Sequence, residues 1–123
     1  MTRILVVDDD SEIREMLRQM LEQAGYDVVD APNGREAIRL YRREPTDLII
    51  TDIVMPEQDG IEAIIDLRHD FPDIKIIAIS GGGRIGPEDY LKTAKMLGAH
   101  STISKPFNRR EMLEVVEELV GEA

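Results

Sequence analysis

The sequence predicts a doubly wound α/β domain, a five-stranded parallel sheet with five helices spread over both of its faces. Three observations carry this. Short runs rich in Ile and Val recur five times, and most are continuous rather than alternating, as strands buried on both faces read. Between the runs, apolar residues fall at helical spacing. The two kinds of segment alternate, so right-handed crossovers leave the strands parallel and the helices on both sides.

The elements follow in order. Ile4-Leu5-Val6-Val7 is the first strand, and the helix after it carries the stripe Ile13, Leu17, Met20, Leu21 and Ala24. Gly25 closes that helix, where a left-handed residue is favoured. Val28-Val29 is the second strand. Asn33 then caps the second helix, with Glu36 as its capping-box partner and Ala37, Ile38 and Tyr41 as its apolar face. Leu48-Ile49-Ile50 forms the third strand. Asp59 and Glu62 repeat the capping box at the third helix, whose face is Ile61, Ile64 and Ile65. After the fourth strand, Ile74–Ile79, Gly86-Pro87 opens the fourth helix with proline at its first position. Leu91, Ala94 and Leu97 line that helix and Gly98 ends it. Thr102-Ile103 is a weak fifth strand. Asn108 with Glu111 caps the last helix, whose stripe is Met112, Leu113, Val116, Leu119 and Val120.

Composition narrows the function. A chain of 123 residues suits one domain, expected here over residues 1–123, and can bury an ordinary core. Fifteen Lys and Arg against 25 Asp and Glu leave a net charge of −10, which opposes a phosphate backbone and argues against direct nucleic-acid binding. The absence of cysteine excludes disulfides, thiolate catalysis and Cys-based metal centres. His69 and His100 form no H-x-x-x-H pattern. No apolar run approaches the ~20 residues of a membrane span, and Met1-Thr2-Arg3 does not begin a signal peptide. The expectation is a soluble, cytoplasmic, acidic domain with no membrane partner.

Ligands of doubly wound sheets bind at the C-terminal ends of the strands. There the first strand runs into Asp8-Asp9-Asp10, the third into Thr51-Asp52, the fourth into Ser80 and the fifth into Ser104-Lys105-Pro106-Phe107. Taken singly, each has a plain structural reading. Asp10 or Ser11 could cap the first helix, Asp52 could be a strand-to-loop acid, and Lys105 a surface lysine at an extended X-Pro step. One cap does not need three consecutive acids, however, and all these groups converge on one crevice. Crowded carboxylates repel one another, and a hard divalent cation relieves the repulsion. Mg²⁺ suits such a site because it takes one or two carboxylates, keeps waters and accepts phosphate oxygens. A lysine opposite would neutralise an incoming phosphoryl group, a serine hydroxyl could bond it, and one carboxylate could be the nucleophile. The residue types suit Mg²⁺-assisted phosphoryl transfer to an aspartate.

Val6-Val7-Asp8-Asp9, Asp52 with Met55-Pro56 and Asp59-Gly60, Ser80, and Lys105-Pro106-Phe107 resemble the receiver domain of response regulators, from Arg3 to about Val120. That resemblance implies a flavodoxin-like (β/α)5 fold with Asp52 as phosphoacceptor, taking its phosphoryl group from the histidine of a sensor kinase or phosphotransfer protein, or from a small phosphodonor. It implies that Asp9 holds Mg²⁺ directly, Asp8 mainly through water, and Asp52 and the backbone carbonyl of Val54 complete the set, with Mn²⁺ as a substitute. It further implies that Ser80 and Lys105 contact the phosphate, that the Lys105-Pro106 bond is cis, and that the fourth helix, fifth strand and fifth helix present a changed face to a separate protein. Activity would be limited to slow self-phosphorylation and dephosphorylation. No output domain is expected within these residues.

The chain departs from the family pattern in two places. Thr102 stands three residues before the lysine, where the family commonly has an aromatic that turns inward on activation. Signalling would then rest on the loop after Ser80, Gly81-Gly82-Gly83-Arg84-Ile85-Gly86, whose glycines cost backbone entropy on ordering. The same loop matches G-x-G-x-x-G, but a dinucleotide site needs an acid at the end of the next strand, where this chain has Ser104-Lys105. Two other readings make different predictions. A phosphorylation-independent interaction module of the same fold predicts no effect of Asp52→Asn on partner affinity. A phosphatase of the haloacid-dehalogenase kind predicts Asp8 as the nucleophile, though the acids near the C-terminus, Glu114, Glu117, Glu118 and Glu122, lie on a helix's polar face.

Overall fold

The computed structural model describes residues 1–52, 59–80, 96 and 98–122. Its elements run β1 (Arg3–Val7), α1 (Ser11–Gln23), β2 (Asp27–Ala31), α2 (Gly34–Arg43), β3 (Leu48–Asp52), α3 (Asp59–Asp70), β4 (Ile76–Ser80), β5 (Ser101–Ser104) and α4 (Arg109–Val120). The helix predicted after Pro87, with Leu91, Ala94 and Leu97, lies outside the described residues, so α4 is the fifth helix of the sequence reading.

All five strands form one parallel sheet in the order β2-β1-β3-β4-β5. Alternation along the strands splits the core in two. Ile4 and Val6 of β1, Ile50 of β3, Ile77 and Ile79 of β4 and Ile103 of β5 pack with Leu17 and Leu21 of α1 and with Met112 and Val116 of α4. Leu5, Val7, Ile49, Ile76 and Ala78 face the other way, onto Ala37 and Tyr41 of α2 and Ile64 and Leu67 of α3. Continuous apolar runs are therefore needed in the central strands, because each successive side chain enters a different layer. The outer strands differ: β2 carries Asp27 and Asp30, and β5 is Ser101-Thr102-Ile103-Ser104, with Ile103 alone in the core.

The helix ends follow local chemistry. The Asp10 carboxylate accepts the Glu12 N–H at 2.9 Å, which makes Asp10 the cap of α1. Gly25 has φ 98° and donates its N–H to the Glu22 carbonyl at 2.9 Å, as a helix-ending left-handed residue does. Asn33 and Asn108 accept the Glu36 and Glu111 N–H groups at 2.9 and 2.8 Å. α3 is described from Asp59 onward; the segment before it and the Asp59 side chain, and with them the third capping box, lie outside the described residues. The fourth strand also begins later than its apolar run, at Ile76, because Ile74 turns back to donate its N–H to the Phe71 carbonyl at 3.1 Å.

At the opposite end of the sheet from the C-terminal crevice, the last carbonyls of α4 are tied down. The Tyr26 hydroxyl donates to the Gly121 carbonyl and the Lys75 ammonium to the Leu119 carbonyl, both at 2.7 Å. These bonds satisfy acceptors that the helix itself leaves open. Gly98 has φ +73°, a left-handed backbone conformation that favours glycine.

Ile50 is fully buried in a central strand against α1 and α4. Ile50→Ala is expected to lower unfolding free energy by about 2–5 kcal/mol, through lost transfer energy and the cavity left behind. Urea unfolding followed by far-UV circular dichroism checks this; a loss below about 1 kcal/mol would mean the layer closes over the gap.

Candidate functional site

The β1–β3 pairing builds the site. Val7 is in register with Thr51, so the next residues, Asp8 and Asp52, leave the sheet side by side. From there β1 leads to α1 on one face and β3 to α3 on the other, which opens a crevice between them. Asp8 is fully buried, Asp52 is 3% exposed, and Asp9 stands exposed at the rim. One carboxylate oxygen from each of Asp8, Asp9 and Asp52 lies within 4.8 Å of the others.

Lys105 follows β5 and reaches back over the end of β4. Its ammonium donates to Asp52 Oδ2 at 2.9 Å and stands 3.6 Å from Asp8 Oδ2. The Lys105-Pro106 peptide bond is cis, as the resemblance implies. Ser80 ends β4 in register with Ser104, one position past the pair Asp52 and Ile79, so its backbone borders the same crevice. Val54, Met55-Pro56 and the loop Gly81 to Gly86 lie outside the described residues, as does the side chain of Ser80. Thr102 is exposed on β5, in register with Ala78.

Asp8 bears most of the electrostatic cost. Its Oδ1 accepts the Asp10 N–H at 2.9 Å, whereas its Oδ2 is buried with no hydrogen-bond donor among the described residues. Burial raises its pKa from 3.8 to about 6; the charges of Asp52 and Asp9 push the same way, and the Asp10 bond and Lys105 only partly offset them. For Lys105, burial favours the neutral amine, but the bond and charge of Asp52 and the charge of Asp8 outweigh it, and its pKa is raised.

This donor set fits a small hard divalent cation. Among the described residues the ligand atoms are all carboxylate oxygens, one of them buried without a hydrogen-bond donor, and their spread is compatible with an ion whose opposite ligands stand about 4.2 Å apart. The buried, electron-rich Asp52 carboxylate beside a lysine can also act as a nucleophile toward an anionic group whose charge the cation and lysine neutralise.

The structure adds Arg14, which the sequence does not single out. Arg14 of α1 donates through Nη1 to the Asp8 carbonyl at 2.7 Å, and its Nε lies 3.5 Å from the Asp30 carboxylate on β2. The one available signal was the spacing of Arg14 and Arg18, one helical turn apart beside the apolar stripe; nothing in the sequence pointed them at Asp30.

The response regulator receiver domain family model matches residues 4–117 of this chain. The response regulator receiver protein CpdR of Brucella abortus is 38% identical over 123 residues, covering 98% of each chain. Among solved structures, the chemotaxis protein CheY4 of Vibrio cholerae superposes with a TM-score of 0.85 at 31% identity, covering 97% of this chain and 98% of that one. The response regulator TrrA of Thermotoga maritima, solved in complex with Mg²⁺-BeF, has a TM-score of 0.82 at 35% identity, covering 97% of this chain and 99% of that one. Among the described residues, no helix is long and apolar enough to cross a membrane.

The raised pKa of Asp8 has a signed consequence for metal-free protein. The folded state binds the extra proton between pH 4 and 6, so stability falls as pH rises through that window and levels off above it. A rise of this size corresponds to roughly 3 kcal/mol. Asp8→Asn in EDTA is expected to be more stable than wild type at pH 7.5, with the gap narrowing toward pH 5. Urea midpoints at both pH values measure it, and a pH-independent gap would contradict the burial cost assigned to Asp8.

Proposed function

This chain belongs to the response regulator receiver family of two-component signalling, and on that basis we propose that it is a phosphorylation-dependent switch with Asp52 as acceptor. One observation carries the reading: Asp52 lies buried between two further acids and a lysine whose ammonium is 2.9 Å away. A carboxylate oxygen of Asp52 attacks the phosphorus of a phosphohistidine on a sensor kinase or phosphotransfer protein, or of a small donor such as acetyl phosphate. A P–O bond forms to Asp52 as the donor's P–N or P–O bond breaks, and the leaving group takes the electron pair. A leaving imidazole also takes up a proton.

Asp8, Asp9 and Asp52 would hold Mg²⁺, or Mn²⁺ in its place, with the backbone carbonyl of Val54 as the further ligand the family resemblance implies. The cation supplies charge neutralisation for the phosphoryl oxygens during transfer. Lys105 exchanges its bond to the Asp52 carboxylate for one to a phosphate oxygen, and Ser80 donates its hydroxyl to another.

Magnitudes say what the switch must do. The phosphoryl group adds about −1.5 to −2 charges and three strong acceptors. Inverting a 1:99 equilibrium takes ~5.5 kcal/mol, and a charge-assisted hydrogen bond contributes roughly 1.5–3 kcal/mol. Lys105 only exchanges one such bond for another, because it already holds Asp52 in the resting state. The shift therefore comes from bonds that are added, from Ser80 and from the backbone around the crevice. The changed face, formed by the fourth predicted helix, β5 and α4, modulates a separate downstream protein in the cytoplasm.

Intact-mass spectrometry after incubation with acetyl phosphate tests the acceptor. One phosphoryl group is expected on wild type with Mg²⁺, and none with EDTA or on Asp52→Asn. An adduct that survives in Asp52→Asn and disappears in Asp8→Asn would move the nucleophile to Asp8. No adduct on folded wild type would leave binding without phosphorylation as the function.

A further inference from the structure

We propose that Arg14 is a positioning residue for the acidic site: it anchors the Asp8–Asp9 peptide to β2 and so sets how Asp9 is presented to the divalent cation. The inference rests on the metal reading above and goes beyond it by assigning a role to a residue that touches neither cation nor phosphate.

The Asp8 peptide is held on both sides. Its N–H donates to the Ala31 carbonyl of β2 at 3.2 Å, the last rung beside β1, and its carbonyl accepts from Arg14 Nη1 at 2.7 Å. That carbonyl belongs to a fully buried residue just past the end of β1, and among the described residues no neighbouring strand supplies it a donor. A buried acceptor there needs a partner, and Arg14 provides it. Arg14 is in turn held by Asp30, whose Oδ2 lies 3.5 Å from Arg14 Nε while its Oδ1 lies 3.5 Å from Arg18 Nη1. Arg18 is fixed by Glu22 one turn further along, at 2.9 Å. The Arg14 side chain is only 18% exposed, so the contact is sheltered from the screening that weakens surface pairs.

The peptide plane carrying the Asp8 carbonyl also carries the Asp9 N–H, because the peptide bond is planar. Fixing that carbonyl fixes the direction in which Asp9 leaves the strand, and Asp9 is the exposed member of the acidic set. Asp8 has a second restraint in the Asp10 N–H, so the effect of losing Arg14 falls mainly on Asp9. A lysine at position 14 keeps the charge but cannot serve the carbonyl and the carboxylate through two sides of a planar group.

The test is a Mg²⁺ titration followed by the ¹H–¹⁵N amide signals of Asp9 and Asp10, in wild type, Arg14→Gln, Arg14→Lys and Asp30→Asn. Arg14→Gln is expected to raise the Mg²⁺ Kd by about tenfold, the scale of lost outer-shell support, while acetyl phosphate labelling of Asp52 recovers at saturating Mg²⁺. Arg14→Lys is expected to restore the affinity only in part. Asp30→Asn should weaken binding less, and add little when combined with Arg14→Gln, since both act through one contact. A Kd no more than about twofold above wild type in folded Arg14→Gln, or full rescue by lysine, overturns the role of Arg14. If Arg14→Gln does not fold, wild-type affinity in Asp30→Asn overturns it. Failure of wild type itself to bind Mg²⁺ overturns the metal reading, and this inference with it.

Discussion

The parallel pairing of β1 with β3 is the constraint on which the site depends. Register alone places Asp8 beside Asp52, because both follow directly on Val7 and Thr51, and no loop has to bring them together. The apolar runs that keep these strands in the sheet thus also bring two like charges into low dielectric. Hydrophobic burial on both faces supplies the stability, and the end of the sheet spends part of it. Two full layers are needed for this, since a sheet covered on one side could not hold Asp8 at zero exposure.

Lys105 decides how that cost is managed in the resting state. It comes from the far side of the sheet, beyond β4, so its contact with Asp52 ties the β5 end to the β3 end across an intervening strand. Its ammonium is closer to Asp52 than to Asp8, which leaves Asp8 Oδ2 as the oxygen with the least compensation. Under the proposed function, a cation and a proton would be alternative remedies for the same oxygen. The resting arrangement is therefore stable but not relaxed, and the imbalance is confined to one end of a well-packed sheet. The same end is where Arg14 braces the backbone from the α1 side, so charge and geometry at the crevice are supported by different elements.

How much could be read from the sequence follows from how local each signal is. Ile4–Val7 and Leu48–Ile50 read as buried strands because a continuous apolar run has few other uses, and Asn33 and Asn108 read as caps because each cap needs only residues three apart. The acids, the serine and the lysine could be grouped because strand ends in this topology share one edge. A signal at the margin of a run was weaker: Ile74 extends an apolar run two residues ahead of the start of β4. Contacts spanning three elements could not be read at all. Arg14 joins α1, the end of β1 and β2, and Tyr26 and Lys75 fasten α4, and each depends on how packed helices sit over the sheet rather than on any spacing along the chain.

The two outer strands carry a further consequence. An exposed edge that is long, flat and apolar invites another chain to add a strand to it. Here β2 places Asp27 and Asp30 on its edge, paired with Arg3 and with Arg14 and Arg18, and β5 is four residues long with three hydroxyl side chains. Charge on one margin and brevity on the other discourage sheet-to-sheet growth, so copies of this domain resist stacking into fibrils by their edges.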